Sequence, residues 1–355
     1  MERLVHPIKA VCAGLLAGSG LLRLVHRLRR PHLLVLAYHR VTPDAEIEGC
    51  AYPAMHVSIS TFQAQLQALK KLYRIVSVAE AERILSGEMP LREPTAVVTF
   101  DDGYQDNFRN ALPVLAAAGV PAMFFLSVGF VDRGEPFWFD EVAAAARAWE
   151  HAPAGTVRIA KLPLPLVDVL SAPGSVAERA RAAAAYLKTL PDADRMRAVA
   201  NLRPLARDGS SDQPMNWTEV NGLLAAGMEL GAHGVRHGVL TRMPAAEAAT
   251  EIGDSVAIIQ ARTGTPVQSF AYPNGDVNRQ VAESARQAGV RLGFTMDGYN
   301  VKPGQDLLRV ARRNVCEDTS RGLDGKFSRG YFWCEMTGVF DVLTGRSWRS
   351  KRTDA

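Results

Sequence analysis

Short apolar runs alternate with longer segments of helical periodicity along most of this chain. Leu33–Tyr38, Ala96–Phe100 and Pro121–Leu126 are brief, continuous and apolar, the pattern of strands buried on both faces. Arg74–Val78, Met228–Ala232, Val267–Ala271 and Val290–Thr295 complete a set of seven expected strands. Between them lie helical segments. Ser60 and Thr61 offer an N-cap for a helix that puts Phe62, Leu66, Leu69 and Leu72 on one face. A short helix to about Ser86, one from about Gln105 to Ala118 ending at Gly119, and one from about Val277 to Gln287 continue the series. Strands separated by helices imply a parallel sheet, because parallel neighbours need long crossovers. Periodicity alone does not separate a closed barrel from an open sheet. No GxGxxG follows the first strand, so nothing points to dinucleotide binding.

Residues 142–214 break this rhythm. Ala143–Ala146, Ala182–Ala185 and the run from Ala193 to Leu202 predict a mostly helical insertion, with one strand-like piece at Val157–Ile159. The ends differ again. Residues 1–30 carry six basic residues against one acid, and Arg346–Ala355 four against one, which leaves the body between them mildly acidic although the whole chain is +4. A nucleic-acid binder concentrates positive charge on its body, so no nucleic-acid partner is expected. Ala10–Leu22 is uncharged but too short to span a bilayer, and it runs into arginines interleaved with leucines up to Arg30. That pattern predicts an interfacial amphipathic segment in peripheral contact with an anionic membrane. The alternatives are packing on the protein's own body, or an unusual export signal. The expected organisation is a basic amphipathic segment at 1–30, an α/β body at 31–316 carrying the insertion, and an extension with a basic tail at 317–355. The expected location is the cytoplasm, peripheral on the inner membrane, with export as an alternative.

The chain has 355 residues, 47% of them hydrophobic and 22% charged, which suits a soluble body with a large core. Cys12, Cys50, Cys316 and Cys334 are far apart and form no CxxC pair, so neither a cysteine zinc site nor a disulfide scaffold is expected.

Two constellations carry chemistry. Asp101 and Asp102 follow the Ala96–Phe100 strand directly, at the strand end where parallel α/β folds bind ligands. Adjacent carboxylates there resist joint ionisation unless a positive charge offsets them, and a metal ion is a natural compensator. The plainer alternative is one aspartate capping the next helix and the other solvated. Gly103 weighs against that, since glycine lets the backbone turn sharply beside a ligand. His233 and His237 follow the Met228–Ala232 strand at i, i+4 spacing. With Asp102 they would supply one carboxylate and two imidazoles and leave coordination positions open, as a catalytic metal site does.

TFDDGY followed by HGVRH after a later strand resembles the NodB-type polysaccharide deacetylases, carbohydrate esterase family 4. Leu36–Val41, Phe137–Glu141, Asn216–Glu219 and Phe270–Gly275 resemble an exopolysaccharide-associated branch of that family, and the likeness runs from about residue 33 to about residue 316. It implies a distorted (β/α) barrel of about seven parallel strands. It also implies a divalent ion, most often zinc, on Asp102, His233 and His237, with Asp101 as general base. The implied reaction is hydrolytic removal of acetyl groups from N-acetylhexosamine units of a polysaccharide or its lipid-linked precursor.

The sequence departs from the family pattern in two places. No histidine follows His237, so the late histidine that many members use as general acid is missing. His39, after the first strand, takes that role in this reading, as in a branch acting on poly-N-acetylglucosamine; a core histidine is the alternative. Nor does an arginine stand in Phe270–Gly275, which leaves open what orients Asp101. Tyr272 and Trp138 are the expected sugar contacts, with core packing the alternative for Trp138. Two other functions stay open: a catalytically weak glycan-binding protein of a polysaccharide-export assembly, and a non-haem iron oxygenase, against which the second aspartate argues.

Overall fold

Leu33–Tyr38 (β1) and Thr95–Phe100 (β5) are six-residue runs with every side chain buried, and they pair in parallel along their full length, Leu33 with Thr95 through Tyr38 with Phe100. In the computed structural model, which describes residues 2–18, 31–149, 162–205, 213–298 and 301–343, this pair is the centre of the fold. Between the two lie β2 (Arg40–Thr42), β3 (His56–Ser58) and β4 (Arg74–Ile75). After β5 come β6 (Ala122–Leu126), β7 (Glu229–Ala232), β8 (Ser269–Ala271), β9 (Leu292–Phe294) and β10 (Arg313–Asn314). The main sheet runs β10-β1-β5-β6-β7-β8-β9, parallel throughout, with β4 beside the first residues of β5. Val310 bridges Phe294 of β9, and three residues on Arg313 pairs with Leu36 of β1. One short segment thus touches both ends of the sheet and curls it into the expected distorted (β/α) barrel.

Several expectations shift in detail, and the strands expected at Val267–Ala271 and Val290–Thr295 shorten to Ser269–Ala271 and Leu292–Phe294. The strand expected over Arg74–Val78 stops at Ile75, because the Ser77 side chain accepts from the Glu80 N–H and starts a helix at Val78. The helix after β3 is Ile59–Leu69, capped by Ser58 rather than by Ser60 or Thr61. β10 lies in a stretch that periodicity did not mark. Gly119, by contrast, ends its helix as expected, in the left-handed conformation that lacks a Cβ penalty.

Helices Trp138–Trp149, Leu164–Ser171, Val176–Leu187 and Asp192–Leu202 form the insertion around a second apolar core of Trp138, Val142, Leu166, Ala183, Leu187 and Val199. Val157–Ile159 lies outside the described residues, as do residues 19–30 and 344–355. Helix Glu2–Gly18 packs on Arg329–Met336 through Ala13, which meets Tyr331, Cys334 and Phe340, and Lys9 pairs with Glu335 at 3.0 Å. Among the described residues no helix is long and apolar enough to cross a membrane. The four cysteines, all among the described residues, form no disulfide.

Candidate active site

The C-terminal ends of β1, β5, β7 and β8 open on one mouth, because parallel strands share a polarity. β5 delivers Asp101 and Asp102, β7 delivers His233 and His237, β1 delivers His39, and β8 delivers Tyr272; all six line a cavity of about 190 Å³. Asp102 sits at φ 75, a left-handed conformation unusual for a residue other than glycine, and Gly103 follows at φ 91. A Cβ on Gly103 would meet Leu126 Cδ2 at 3.0 Å, so this turn depends on the glycine.

His233 Nε2 lies 3.5 Å and His237 Nε2 3.3 Å from Asp102 Oδ1. The three ligand-type atoms fall within 4.8 Å of one another. His233 Nδ1 is 2.6 Å from the Ala271 carbonyl oxygen, so that nitrogen donates and leaves Nε2 bare toward Asp102. Both Asp102 oxygens are buried without a hydrogen-bond donor. An ionised carboxylate in that state is costly, and a cation between it and the two imidazole rings removes the cost. The donor set, one oxygen and two nitrogens, fits a divalent ion of the zinc type.

Charges in the site are strongly coupled. Burial opposes ionisation of Asp102, but His233 and His237 outweigh it and hold the carboxyl below the usual range. Burial also disfavours the charged form of His233, and Asp101 with Asp102 reverses this and raises its pKa. His237 is pushed down to about 3, mainly by burial. Burial likewise lowers the pKa of His39, against the pull of Asp102 and Asp101. His39 Nδ1 is buried without a partner, facing no competing acceptor.

The arginine that Phe270–Gly275 lacks comes from elsewhere. Arg312, wholly buried beside β10, donates to Asp101 Oδ1 at 2.6 Å and to Oδ2 at 2.7 Å, and its first nitrogen also reaches Thr99 Oγ1 at 3.1 Å. Its guanidinium lies near the rings of Phe125 and Phe294. Burial raises the Asp101 pKa, and this ion pair overrides it, keeping the carboxyl ionised. Nothing in the Phe270–Gly275 motif marks Arg312, which lies in a later segment. The available signal was the run Leu307–Val315, where apolar residues are interrupted by three arginines, Arg309, Arg312 and Arg313.

Trp138 does not reach the cavity. It is 1% exposed and packs in the insertion core, with the Arg195 guanidinium 5.2 Å from its ring. Its neighbour Phe139 lines the wall instead, together with Tyr52, Met55 and Met296. Two further residues escaped the sequence reading. Buried Glu251 accepts from the Val235 and Arg236 backbone N–H groups, both at 2.9 Å, and from Arg236 Nε at 2.6 Å, so it clamps the loop between the two histidines. Lys188, from the insertion, lines the cavity and donates to Asn274 Oδ1 at 2.7 Å. Helical periodicity carried no mark of either contact.

Family comparison matches residues 88–160 and 180–293 to Polysaccharide deacetylase, and the chain belongs to that family. Among individual relatives, it is 32% identical over 105 residues to the poly-beta-1,6-N-acetyl-D-glucosamine N-deacetylase of Escherichia coli K12. That alignment covers 29% of this chain and 15% of the relative. The fold is shared with the Streptococcus pyogenes deacetylase PplD in complex with acetate, at TM-score 0.57 and 17% identity over 86% of this chain and 98% of that one. It is shared also with IcaB from Ammonifex degensii, at TM-score 0.54 and 22% identity over 82% and 94% of the two chains.

Proposed function

We propose that this protein hydrolyses the acetamido group of N-acetylhexosamine units in an exopolysaccharide, using a divalent ion held by Asp102, His233 and His237. The observation that carries the reading is the convergence of these three side chains beside a second carboxylate, Asp101, that Arg312 keeps ionised. When bound, the ion acts as a Lewis acid toward the amide carbonyl and makes water a nucleophile near neutral pH. Asp101 accepts the proton of the attacking water. The carbon–nitrogen bond breaks, His39 in its imidazolium form gives a proton to the leaving nitrogen and becomes neutral imidazole, and acetate and a free amine result. Tyr272 and Phe139 bound the sugar. The residue match to a poly-N-acetylglucosamine deacetylase supports the choice of substrate. So does a polar cleft of about 640 Å³ that shares Tyr52 with the site and includes Arg40, Asp106 and Asn110, room for neighbouring sugars of a chain. For that reason we favour polymer over a lipid-linked monosaccharide.

The test separates base from ligand. Asp101→Asn should keep zinc content and lose most acetate release from N-acetylglucosamine oligomers. Loss of zinc equal to that of Asp102→Asn would mean that the two carboxylates exchange roles.

We further propose that the segment 1–30 rests on an anionic membrane. On helix Glu2–Gly18, Ile8, Val11 and Leu15 are 62%, 50% and 71% exposed and share one face, opposite the docked Ala13. The basic run to Arg30 follows in sequence. Deleting residues 1–30 should reduce sedimentation with phosphatidylserine vesicles, and equal sedimentation would refute this role.

A further inference from the structure

The helical insertion enters the active-site cavity at its elbow. Helix Val176–Leu187 ends at Lys188, which crosses the rim to Asn274. Arg242 donates to the Lys188 carbonyl oxygen. A few residues on, Asp192 pairs with Arg195 and lies 3.4 Å from Arg236, which is itself held by Glu247 and Glu251. Lys188 is therefore fixed rather than free to swing, and it is the sole lysine or arginine among the described residues lining the cavity. Burial lowers its pKa, with Arg195 and Arg242 acting in the same direction, against the pull of Asp102 and Asp276, and its charge is felt at His237.

A fixed ammonium here has a cost and no evident part in the hydrolysis. Asp101 is already neutralised by Arg312, and the ion suited to the triad is positive, so Lys188 adds repulsion. Proton acceptance and donation are assigned to Asp101 and His39. What remains is discrimination. An acetylated hexosamine is neutral at nitrogen, whereas the hydrolysed unit carries an amine that takes up a proton. Substrate and product thus differ by one positive charge.

We propose that Lys188 is a specificity residue that disfavours cationic, already deacetylated sugar units, so that neutral acetylated units are preferred and the amine product is expelled. This rests on the deacetylase reading above. Like charges several ångströms apart in a partly buried site weaken binding by about tenfold after screening.

The experiment uses the full chain loaded with zinc, with Asp101→Asn as background so that substrate is not consumed. Fully acetylated glucosamine oligomers and fully deacetylated ones of equal length are titrated at mildly acidic pH, with Lys188 intact, with Lys188→Gln and with Lys188→Arg. With Lys188 intact the acetylated oligomer should bind more tightly, and added salt should shrink that preference. Lys188→Gln should bind the deacetylated oligomer about tenfold more tightly and weaken the salt dependence, the remainder coming from the ion and from Arg312 left without Asp101. Lys188→Arg should keep the original preference. An unchanged preference in Lys188→Gln would overturn the proposal, as would equal weakening of both oligomers, which would make Lys188 a general sugar contact. Acetate release by the protein without substitutions distinguishes the two levels. Release with an unchanged preference defeats only the role of Lys188, whereas no release from any acetylated oligomer defeats the deacetylase reading and this inference with it.

Discussion

The barrel mouth and the elbow of the insertion face the same cavity but are built differently. At the mouth, Asp101, Asp102 and His233 follow directly on strand ends, and their positions come from the backbone pairing of β5, β6 and β7. At the elbow, Lys188 and Asp192 are held by side-chain ties to Asn274 and Arg236. The contrast separates two tasks. Backbone ladders resist deformation and suit groups whose geometry decides the chemistry. Side-chain ties can be exchanged without touching the sheet, and suit groups that select the ligand. Glu251 joins the two regions, since it holds the histidine loop and, through Arg236, the elbow.

The largest effects should come from the mouth. Asp102→Asn and His237→Ala should each abolish zinc binding and acetate release while the far-ultraviolet circular dichroism stays close to that of the parent. Full zinc content in either variant would break the assignment of the triad.

His39→Ala comes next. Turnover on amide substrates should fall by about 10²–10⁴, the range for a positioned proton donor, with metal content unchanged. The loss should shrink for aryl acetates, whose leaving groups need less protonation. Near-normal amide hydrolysis would show that the donor lies elsewhere.

Glu251→Gln sharpens the comparison because it loosens the junction and leaves the ligands themselves in place. Zinc affinity should drop by about 10- to 100-fold, as when outer partners of metal ligands are removed. Competition with a chelator reads this without turnover. Unchanged affinity would mean that the strand ends alone hold the histidines.

The smallest expected effect is a pH dependence of stability. Burial keeps His237 neutral in the folded protein, pushed down to about 3 from an ordinary 6.5, with the charges of His233, Lys188 and Arg195 acting in the same direction against Asp102. Between these values the unfolded chain binds a proton that the folded chain does not. Stability of the metal-free protein should therefore fall as pH is lowered through that window. Urea unfolding across this range should show the fall, and His237→Asn should flatten it.

The amino-acid sequence by itself determined the parallel α/β character, the helical insertion, and the residues with metal-binding chemistry. Each of these is local: an apolar run of strand length, an alanine-rich helical stretch, or two aspartates directly after a strand. Tertiary structure alone decided the rest. Arg312 reaches Asp101 because the segment around β10 spans both ends of the sheet, a contact between residues far apart in the chain. Phe139 rather than Trp138 lines the cavity because the rotation of helix Trp138–Trp149 points Trp138 into the insertion core and Phe139 to the cavity wall, although both are buried. Lys188 and Glu251 lie on helical segments whose periodicity marks a buried face without saying what that face meets. Periodicity reports which residues leave water, whereas the partners they find depend on how the elements pack.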